Sequence, residues 1–224
     1  TINNIRMGNI YNEAFNADNI SGVITSVVMK NVSGNYAYYV VGDISGTISD
    51  VIMGNVSFYA FHSNTGNISG TITNITMGDV GYLFYADGNI SGKIDNITMN
   101  NANYPFYANT GNISGTINHV TMGDVSTRFY ANNISSTIMN VKMGNVIKYA
   151  FYANTGNISG NITNITMGNV YNAFHAHGDI SGIISDIIMS DIINPSLDPG
   201  NVFISISSNI SGVINNIIIG NDGR

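Results

Sequence analysis

The sequence contains no cysteine and no tryptophan, and only three of its 224 residues are proline. Without cysteine, neither a disulfide nor a cysteine-ligated metal can hold the chain together. Charged residues make up 9% of the chain, compared with roughly a quarter of an ordinary globular domain. The polar surface must therefore be built mostly from Asn, Thr, Ser, Tyr and Gly.

The low charge also restricts the partners. The seven Lys and Arg residues are scattered along the sequence, and the formal net charge is −6. Because nucleic-acid binding needs a basic patch or stripe, we expect no nucleic-acid partner. No apolar run approaches the roughly 20 residues of a membrane-spanning helix, so we expect no membrane insertion.

A repeat accounts for most of the chain. Residues 67–80 read Asn-Ile-Ser-Gly-Thr-Ile-Thr-Asn-Ile-Thr-Met-Gly-Asp-Val, and variants of this segment recur from one end to the other. In every copy a Met, replaced by Ile in the last, follows nine residues after the opening Ile. The opening residues are Ile20, Ile44, Ile68, Ile90, Ile113, Ile134, Ile158, Ile180 and Ile210. A fixed period of roughly 20–50 residues is typical of solenoids and related repeat folds.

Apolar residues alternate within each copy. Ile68 and Ile72 share one face, and Ile75 and Met77 continue this pattern after a break. A third apolar segment contains Phe-Tyr-Ala, as at residues 84–86. Alternation with a period of two, together with many β-branched residues, favours strands over helices.

We therefore predict an all-β fold, a single-stranded parallel β-helix (β-solenoid) of about nine coils with three short strands per coil. The coils have 21–24 residues, and a right-handed helix is favoured because they are longer than three hexapeptides. The chain forms one domain, residues 1–224, with a loop insertion in the last coil at 193–201. The second coil lacks Phe-Tyr-Ala, so its third strand is expected to be irregular at residues 37–41.

The outward positions change character near the C-terminal end. Most coils have Thr at these positions, but apolar residues replace it at Ile183, Ile188, Val213 and Ile218. An apolar outer surface of this kind suggests that this end of the solenoid is covered.

Asn and Asp recur at three positions of the repeat. The first column includes Asn67 and Asn89, the second Asn74 and Asn96, and the third Asp79 with its equivalents. We expect the amides to stack and hydrogen-bond along the axis, as they do in cross-β structures. The alternative is N-glycosylation, because many of these residues match Asn-x-Ser/Thr. An intact-mass measurement distinguishes the two.

The sequence offers little for catalysis or metal binding. Polysaccharide-cleaving enzymes use paired carboxylates, but Glu13 is the single glutamate, and Asn101 separates Asp79 from Asp124 in the third column. The four His are scattered, and the sequence contains no recognisable zinc or calcium motif. We therefore predict a non-enzymatic protein with no catalytic residue, no metal site and no cofactor.

The aromatic segment predicts an outward ladder. If Phe84 points into the core, the adjacent Tyr85 points outward, and the same holds in neighbouring coils. The predicted column comprises Tyr85, Tyr107, Tyr130 and Tyr152, flanked by His62 and His175. This column could contact glycans or a neighbouring rod, or it could simply stabilise the sheet by cross-strand contacts.

The ends of the sequence lie within the repeat. Residues 1–10 match residues 71–80, and residues 213–221 match the same phase. Unpaired strand edges in matching register favour head-to-tail stacking, a heterologous contact that builds open filaments. The expected contact residues are Ile2, Ile5, Met7 and Ile10 at one end, and Ile214, Ile217 and Ile219 at the other.

The repeat resembles the GLUG-type repeats of bacterial adhesins and archaeal adhesin-like proteins, which are surface-exposed β-solenoids. The resemblance lies in residues 70–74 followed by 78–80, while the Gly-Leu-x-Gly element of the GLUG family is absent. It implies an extracellular location at the cell surface and an adhesive or scaffold role, and it transfers no functional residue.

These observations predict a structural protein whose partner is itself: a subunit or segment of an extracellular filament, fibre or adhesin stalk. The alternative is a module that binds cell-surface glycans, or another surface, through the outward Tyr ladder.

Overall fold

The computed structural model describes residues 1–126, 129–193, 201–206 and 209–220. These residues form nineteen β-strands and no helix. The strands are stacked in two parallel sheets, and each strand pairs with the equivalent strand of the next coil. The predicted parallel β-helix is thus confirmed.

The first sheet has ten strands in the described residues, and its neighbours follow each other coil by coil. They are β1 (Ile2–Met7), β3 (Val23–Met29), β5 (Thr47–Ile52), β7 (Thr71–Thr76), β9 (Lys93–Thr98), β11 (Thr116–Thr121), β13 (Thr137–Lys142), β15 (Asn161–Met167), β17 (Ile183–Met189) and β19 (Val213–Ile219).

The second sheet has nine strands in the same part of the chain. They are β2 (Glu13–Ala17), β4 (Tyr36–Val40), β6 (Val56–Ser63), β8 (Val80–Ala86), β10 (Ala102–Ala108), β12 (Phe129–Ala131), β14 (Val146–Ala153), β16 (Val170–Ala176) and β18 (Asn201–Ser205).

Each coil therefore has two strands rather than the predicted three. The segments expected to form the first and second strands are joined in β7, where Asn74 adopts a φ of 57°. The ladder between β7 and β5 continues on both sides of this residue, from Thr71 to Thr76. A left-handed residue thus bends the strand without ending it. Ahead of the strand, Ile68 forms only isolated parallel bridges to the equivalent Ile of each neighbouring coil.

The core lies between the two sheets. The first sheet contributes columns of Ile, Val and Met, and the second sheet contributes a column of aromatic rings. Burial of these side chains is the main source of stability, at about 25 cal/mol per Å² of apolar surface. The rings stack on one another in the order Phe15, Tyr38, Phe61, Phe84, Phe106, Phe129, Phe151, Phe174 and Phe203.

The second coil is regular, so the prediction of an irregular strand there was wrong. β4 pairs in register with β2 and β6, and Tyr38 stacks between Phe15 and Phe61. A tyrosine ring fills the space of a phenylalanine ring, and the column therefore continues. Register shifts occur instead after Val56 in β6 and after Val146 in β14.

Most of the predicted loop insertion lies outside the described residues, which include Ile193 and Asn201 but not residues 194–200. The apolar outward residues near this end are exposed in the single chain: Ile183, Ile188, Val213 and Ile218.

Candidate functional site

Asn and Asp side chains form a ladder at the turn that leads into the first sheet. The Oδ1 of Asn67 accepts the backbone N–H of Asn89 at 2.8 Å and its side-chain N–H at 3.1 Å. The backbone bond repeats from coil to coil. Its members are Asn19, Asp43, Asn67, Asn89, Asn112, Asn133, Asn157, Asp179 and Asn209.

A second such ladder lies at the turn between the first and second sheets. The Oδ1 of Asn55 accepts the backbone N–H of Asp79 at 3.0 Å, and a Cβ on Gly78 would overlap this oxygen. Glycine before the ladder residue therefore leaves room for the hydrogen bond. The members are Asn31, Asn55, Asp79, Asn101, Asp124, Asn145 and Asn169. The predicted amide stacking is confirmed, and N-glycosylation stays a prediction.

The remaining Asn column provides the bend in every first-sheet strand. Asn tolerates the left-handed conformation better than most residues, because its short side chain can hydrogen-bond locally. The Nδ2 of Asn74 donates to Asp50 at 2.8 Å, and its Oδ1 accepts from Asn96 at 2.9 Å. The residues with positive φ, at 48–57°, are Asn4, Ser26, Asp50, Asn74, Asn96, His119, Asn140, Asn164, Asp186 and Asn216.

The structure places all six residues of the predicted aromatic column next to one another on the second sheet. Neighbouring ring centroids are 4.5–5.7 Å apart along the run from His62 to His175. The sequence alone missed Tyr39, which extends this column by stacking on His62 at 5.4 Å. The outer ring column therefore comprises Tyr39, His62, Tyr85, Tyr107, Tyr130, Tyr152 and His175.

A second outer ring column was also missed. Tyr36, Tyr59, Tyr82 and Tyr104 occupy paired positions and stack at 4.4–5.2 Å. The rings of the two columns meet edge to face, as in the pair of Tyr82 with Tyr85 at 5.8 Å. The sequence signal was a Tyr two residues ahead of the inner ring in four successive coils.

Stacking covers most of the ring faces. Tyr107 lies between two rings, with interplanar angles of 7° to Tyr85 and to Tyr130. Because neighbouring rings occupy the faces on which a sugar would stack, the column offers mainly its edges to solvent. The geometry fits cross-strand stabilisation, with each close aromatic pair contributing about 0.5–1.5 kcal/mol.

Burial among these rings also changes their titration. His62 is buried against Tyr36, Tyr59 and Tyr85, and burial lowers the pKa of His62 to about 4. Burial likewise raises the pKa of Tyr85. Since a neutral ring is favoured in both cases, these two rings carry no charge at neutral pH.

The predicted end-coil residues lie at the two ends of the stack. Ile2 and Ile219 are exposed, and the others are half-buried against the core: Ile5, Met7, Ile10, Ile214 and Ile217. A groove at one end is lined by Ile2, Phe15, Ile20 and Ile24 among others. Core positions are therefore accessible to solvent at the two ends, whereas the equivalent positions of the described interior coils are buried.

A small group of charged side chains lies on the first sheet of the described chain. On the outer face of the first sheet, the Asp95 carboxylate lies 3.0 Å from His119 Nδ1 and 3.9 Å from Lys93 Nζ. Asp79 and Asp124 lie in the ladder on either side of Asn101. Within the described residues no three His, Asp or Glu side chains are placed to hold a metal ion. The same residues include no helix long and apolar enough to cross a membrane.

Comparison of the chain with protein-family models, curated proteins and solved structures found no significant match. The resemblance to GLUG-type repeats therefore stays a prediction.

Proposed function

We propose that this chain is a non-enzymatic structural protein, a rod-shaped subunit or segment of an extracellular filament, fibre or adhesin stalk that joins the next copy head to tail. The exposure of core positions at the end strands carries this proposal. Ile2 and Ile219 are 44% and 47% exposed, whereas their paired neighbours Ile24 and Met189 are 5% and 0% exposed.

The edges of the end strands supply the second part of the argument. β1 and β19 are the outermost strands of the first sheet, so one edge of each has free N–H and C=O groups to pair with another strand. Pairing of β19 with β1 of a second copy would continue the Ile, Val and Met columns. Such a contact is heterologous and therefore propagates without closing.

The two ends are stepped rather than flat. In the described residues β19 of the first sheet has no counterpart beyond β18 in the second sheet. Stacking β1 on β19 would leave one strand position, about 4.8 Å wide, empty beside β18. We therefore assign the proposed end-to-end contact to the first sheet.

The proposed extracellular location rests on the resemblance of the repeat to surface-exposed solenoids. Detection of the intact chain on the surface of unpermeabilised cells of its source would support this location, and labelling that requires permeabilisation would contradict it.

Electron microscopy and sedimentation of the purified protein test the assembly. The wild type should form filaments as its concentration rises, and Ile2→Lys or Ile219→Lys should abolish them, because a charge at an edge opposes strand pairing. Ile147→Lys is the matched control, since Ile147 is also an exposed isoleucine, at 55%, but lies on the side of the rod. Monodisperse wild-type monomers at high concentration would contradict self-assembly.

The alternative function, binding of a glycan or another surface, uses the outer ring column. The covered ring faces favour contact through the phenol edges, and this prediction can be tested. On a glycan array, Tyr107→Phe should lose binding if the hydroxyl is the contact, while Tyr107→Ala and Tyr130→Ala remove ring and hydroxyl together. An array profile that is unchanged in all three variants would exclude the outer ring column.

A further inference from the structure

The outer face of the first sheet changes composition along the rod. Strands in the middle, such as β7 and β11, present Thr and Asn, whereas the strands near both ends present Ile and Val. Ile52, Val213 and Ile188 are the most exposed of these, at 55%, 51% and 47%. The apolar outward residues are Val23, Val28 and Ile52 toward one end, and Ile183, Ile188, Val213 and Ile218 toward the other.

The strand pairing arranges these residues symmetrically. Val28, Ile52, Ile188 and Ile218 belong to one column, because each pairs with the next through the intervening strands. In that column Ile52 and Ile188 are three strands from β11, on opposite sides, and Val28 and Ile218 are four strands from it. In a second column, Val23 and Val213 are also four strands from β11.

We propose that this face binds the same face of a second copy, with the two rods antiparallel and a two-fold axis lying along β11. Rotation about this axis reverses the direction of the rod but leaves the position along each strand unchanged. Each column of residues therefore lies opposite the same column of the second copy. Ile52 then lies opposite Ile188 of the second copy, Val28 opposite Ile218, and Val23 opposite Val213. A self-complementary patch of this kind is what an isologous dimer requires.

The size of the face fits a stable dimer. With the axis along β11, the nine strands from β3 to β19 overlap. At a spacing of about 4.8 Å and with about six residues each, they give a face of roughly 40 by 20 Å. This corresponds to about 800 Å² per copy, which matches the ~800 Å² per partner of a standard protein–protein interface. The contact is lateral and uses neither strand edge of the end-to-end contact.

Charges on the face refine the proposal. The antiparallel arrangement sets β13 against β9, so that Lys142 of one copy approaches the strand that carries Asp95 of the other. It also sets β5 against β17, which brings Asp50 toward Asp186. Asp50 accepts hydrogen bonds from Asn74, Ser49 and Thr25, which places its carboxylate on this outer face. The approach of two carboxylates weakens the pairing.

Sedimentation equilibrium with variants tests the apolar contacts. The wild type should show a monomer–dimer equilibrium, and Ile52→Thr/Ile188→Thr, which installs the residue of the middle strands, should raise Kd at least about tenfold. Ile147→Thr is the control with the same 55% exposure on the second sheet and should leave Kd unchanged. Asp50→Asn, which installs the residue most common in that column, should lower Kd. A wild type that is monomeric throughout would overturn the proposal. So would a rise in Kd for Ile147→Thr as large as the rise for Ile52→Thr/Ile188→Thr.

Cross-linking tests the axis, since the chain has no native cysteine. A cysteine at Thr121, on β11, faces its own equivalent and should be joined to it by a short bis-maleimide. A cysteine at Thr76 would be separated from its equivalent by four strand spacings, about 19 Å along the rod, and should not. Equal yields would contradict the two-fold axis. Filaments lost in Ile2→Lys with this dimer intact would show that the two contacts are independent.

Discussion

The two sheets enclose one core but hold their strands in register by different means. Every described strand of the first sheet contains one non-glycine residue of positive φ, and no described strand of the second sheet does. The second sheet instead stacks rings on both sides, with Phe84 inside and Tyr85 outside as examples. A slip of one residue would turn either sheet's apolar columns outward, so register is fixed by backbone bends in one sheet and by ring stacking in the other.

The largest effect is expected from breaking the inner ring column. Phe106 is fully buried and lies between Phe84 and Phe129, with centroids 5.2 and 4.5 Å away. Phe106→Ala should lower the free energy of unfolding by about 3–5 kcal/mol, through lost transfer energy and a residual cavity. Urea denaturation measures this change.

The matched change in the first sheet is Ile94→Ala, because Ile94 is equally buried but stacks no ring. Ile94→Ala should lower the free energy of unfolding by about 2–4 kcal/mol. This loss is smaller than that of Phe106→Ala by roughly the energy of the two ring contacts. An equal or larger loss for Ile94→Ala would show that ring stacking adds nothing to the second sheet.

The bend in the first sheet is tested at Asn74. Asn74→Ala keeps a Cβ in the left-handed region, loses the side-chain amide that helps Asn tolerate it, and removes two exposed hydrogen bonds. It should therefore lower the free energy of unfolding by about 1–2 kcal/mol. Asn74→Gly removes the same hydrogen bonds without the strain and should cost less by about 1 kcal/mol. The difference in unfolding free energy between the two variants, from urea denaturation, measures the backbone strain. Equal unfolding free energies would mean that a Cβ at this position causes no strain.

The outer rings of the second sheet predict an acid sensitivity. Burial lowers the pKa of His62 to about 4, from 6.5. Between these two pH values His62 is protonated in the unfolded chain and neutral in the folded chain. Stability should therefore be unaffected above pH 6.5 and fall as the pH drops toward about 4. His62→Phe, which keeps a ring in the column, should remove this part of the pH dependence. Parallel pH profiles of the two proteins would contradict the assignment.

Asp50 gives the first sheet a pH dependence of its own. Hydrogen bonds from Asn74, Ser49 and Thr25 lower the pKa of its carboxyl below 3.8, so its contribution is present above that pH and is lost only in stronger acid.

Much of the fold could be predicted because the same pattern recurs in every coil, and each copy indicates the same geometry. Constant spacing from Ile68 to Met77 indicated stacked parallel strands, and alternation indicated which side chains face the core. The strand count was wrong because a break in alternation at Asn74 looks the same in sequence whether the strand ends or bends. The register of the ladder, which continues past Asn74, distinguishes the two.

The outer surface was less predictable. The alternation of Phe84 and Tyr85 was sufficient to identify one ring column, because the strand there is regular. The column of Tyr59 and Tyr82 was missed, since the register shift after Val56 changes the spacing of the Tyr from the preceding Val, although its spacing to the inner Phe is constant. Coverage of ring faces depends on side-chain orientation, which no residue pattern specifies.

The smallest expected effect is a gain of stability in the second sheet. Tyr38 is fully buried within a column of phenylalanines, and its hydroxyl has no hydrogen-bond partner in the described structure. Burial accordingly raises the pKa of Tyr38. Tyr38→Phe keeps the stack with Phe15 and Phe61 and removes an unsatisfied polar group, so it should raise the free energy of unfolding by about 1 kcal/mol. Tyr85→Phe, at a half-buried ring of the outer column, is the control and should change it by less than about 0.5 kcal/mol. A destabilised Tyr38→Phe protein would show that the hydroxyl is satisfied in the folded chain, and the second sheet would then hold its register by more than ring stacking.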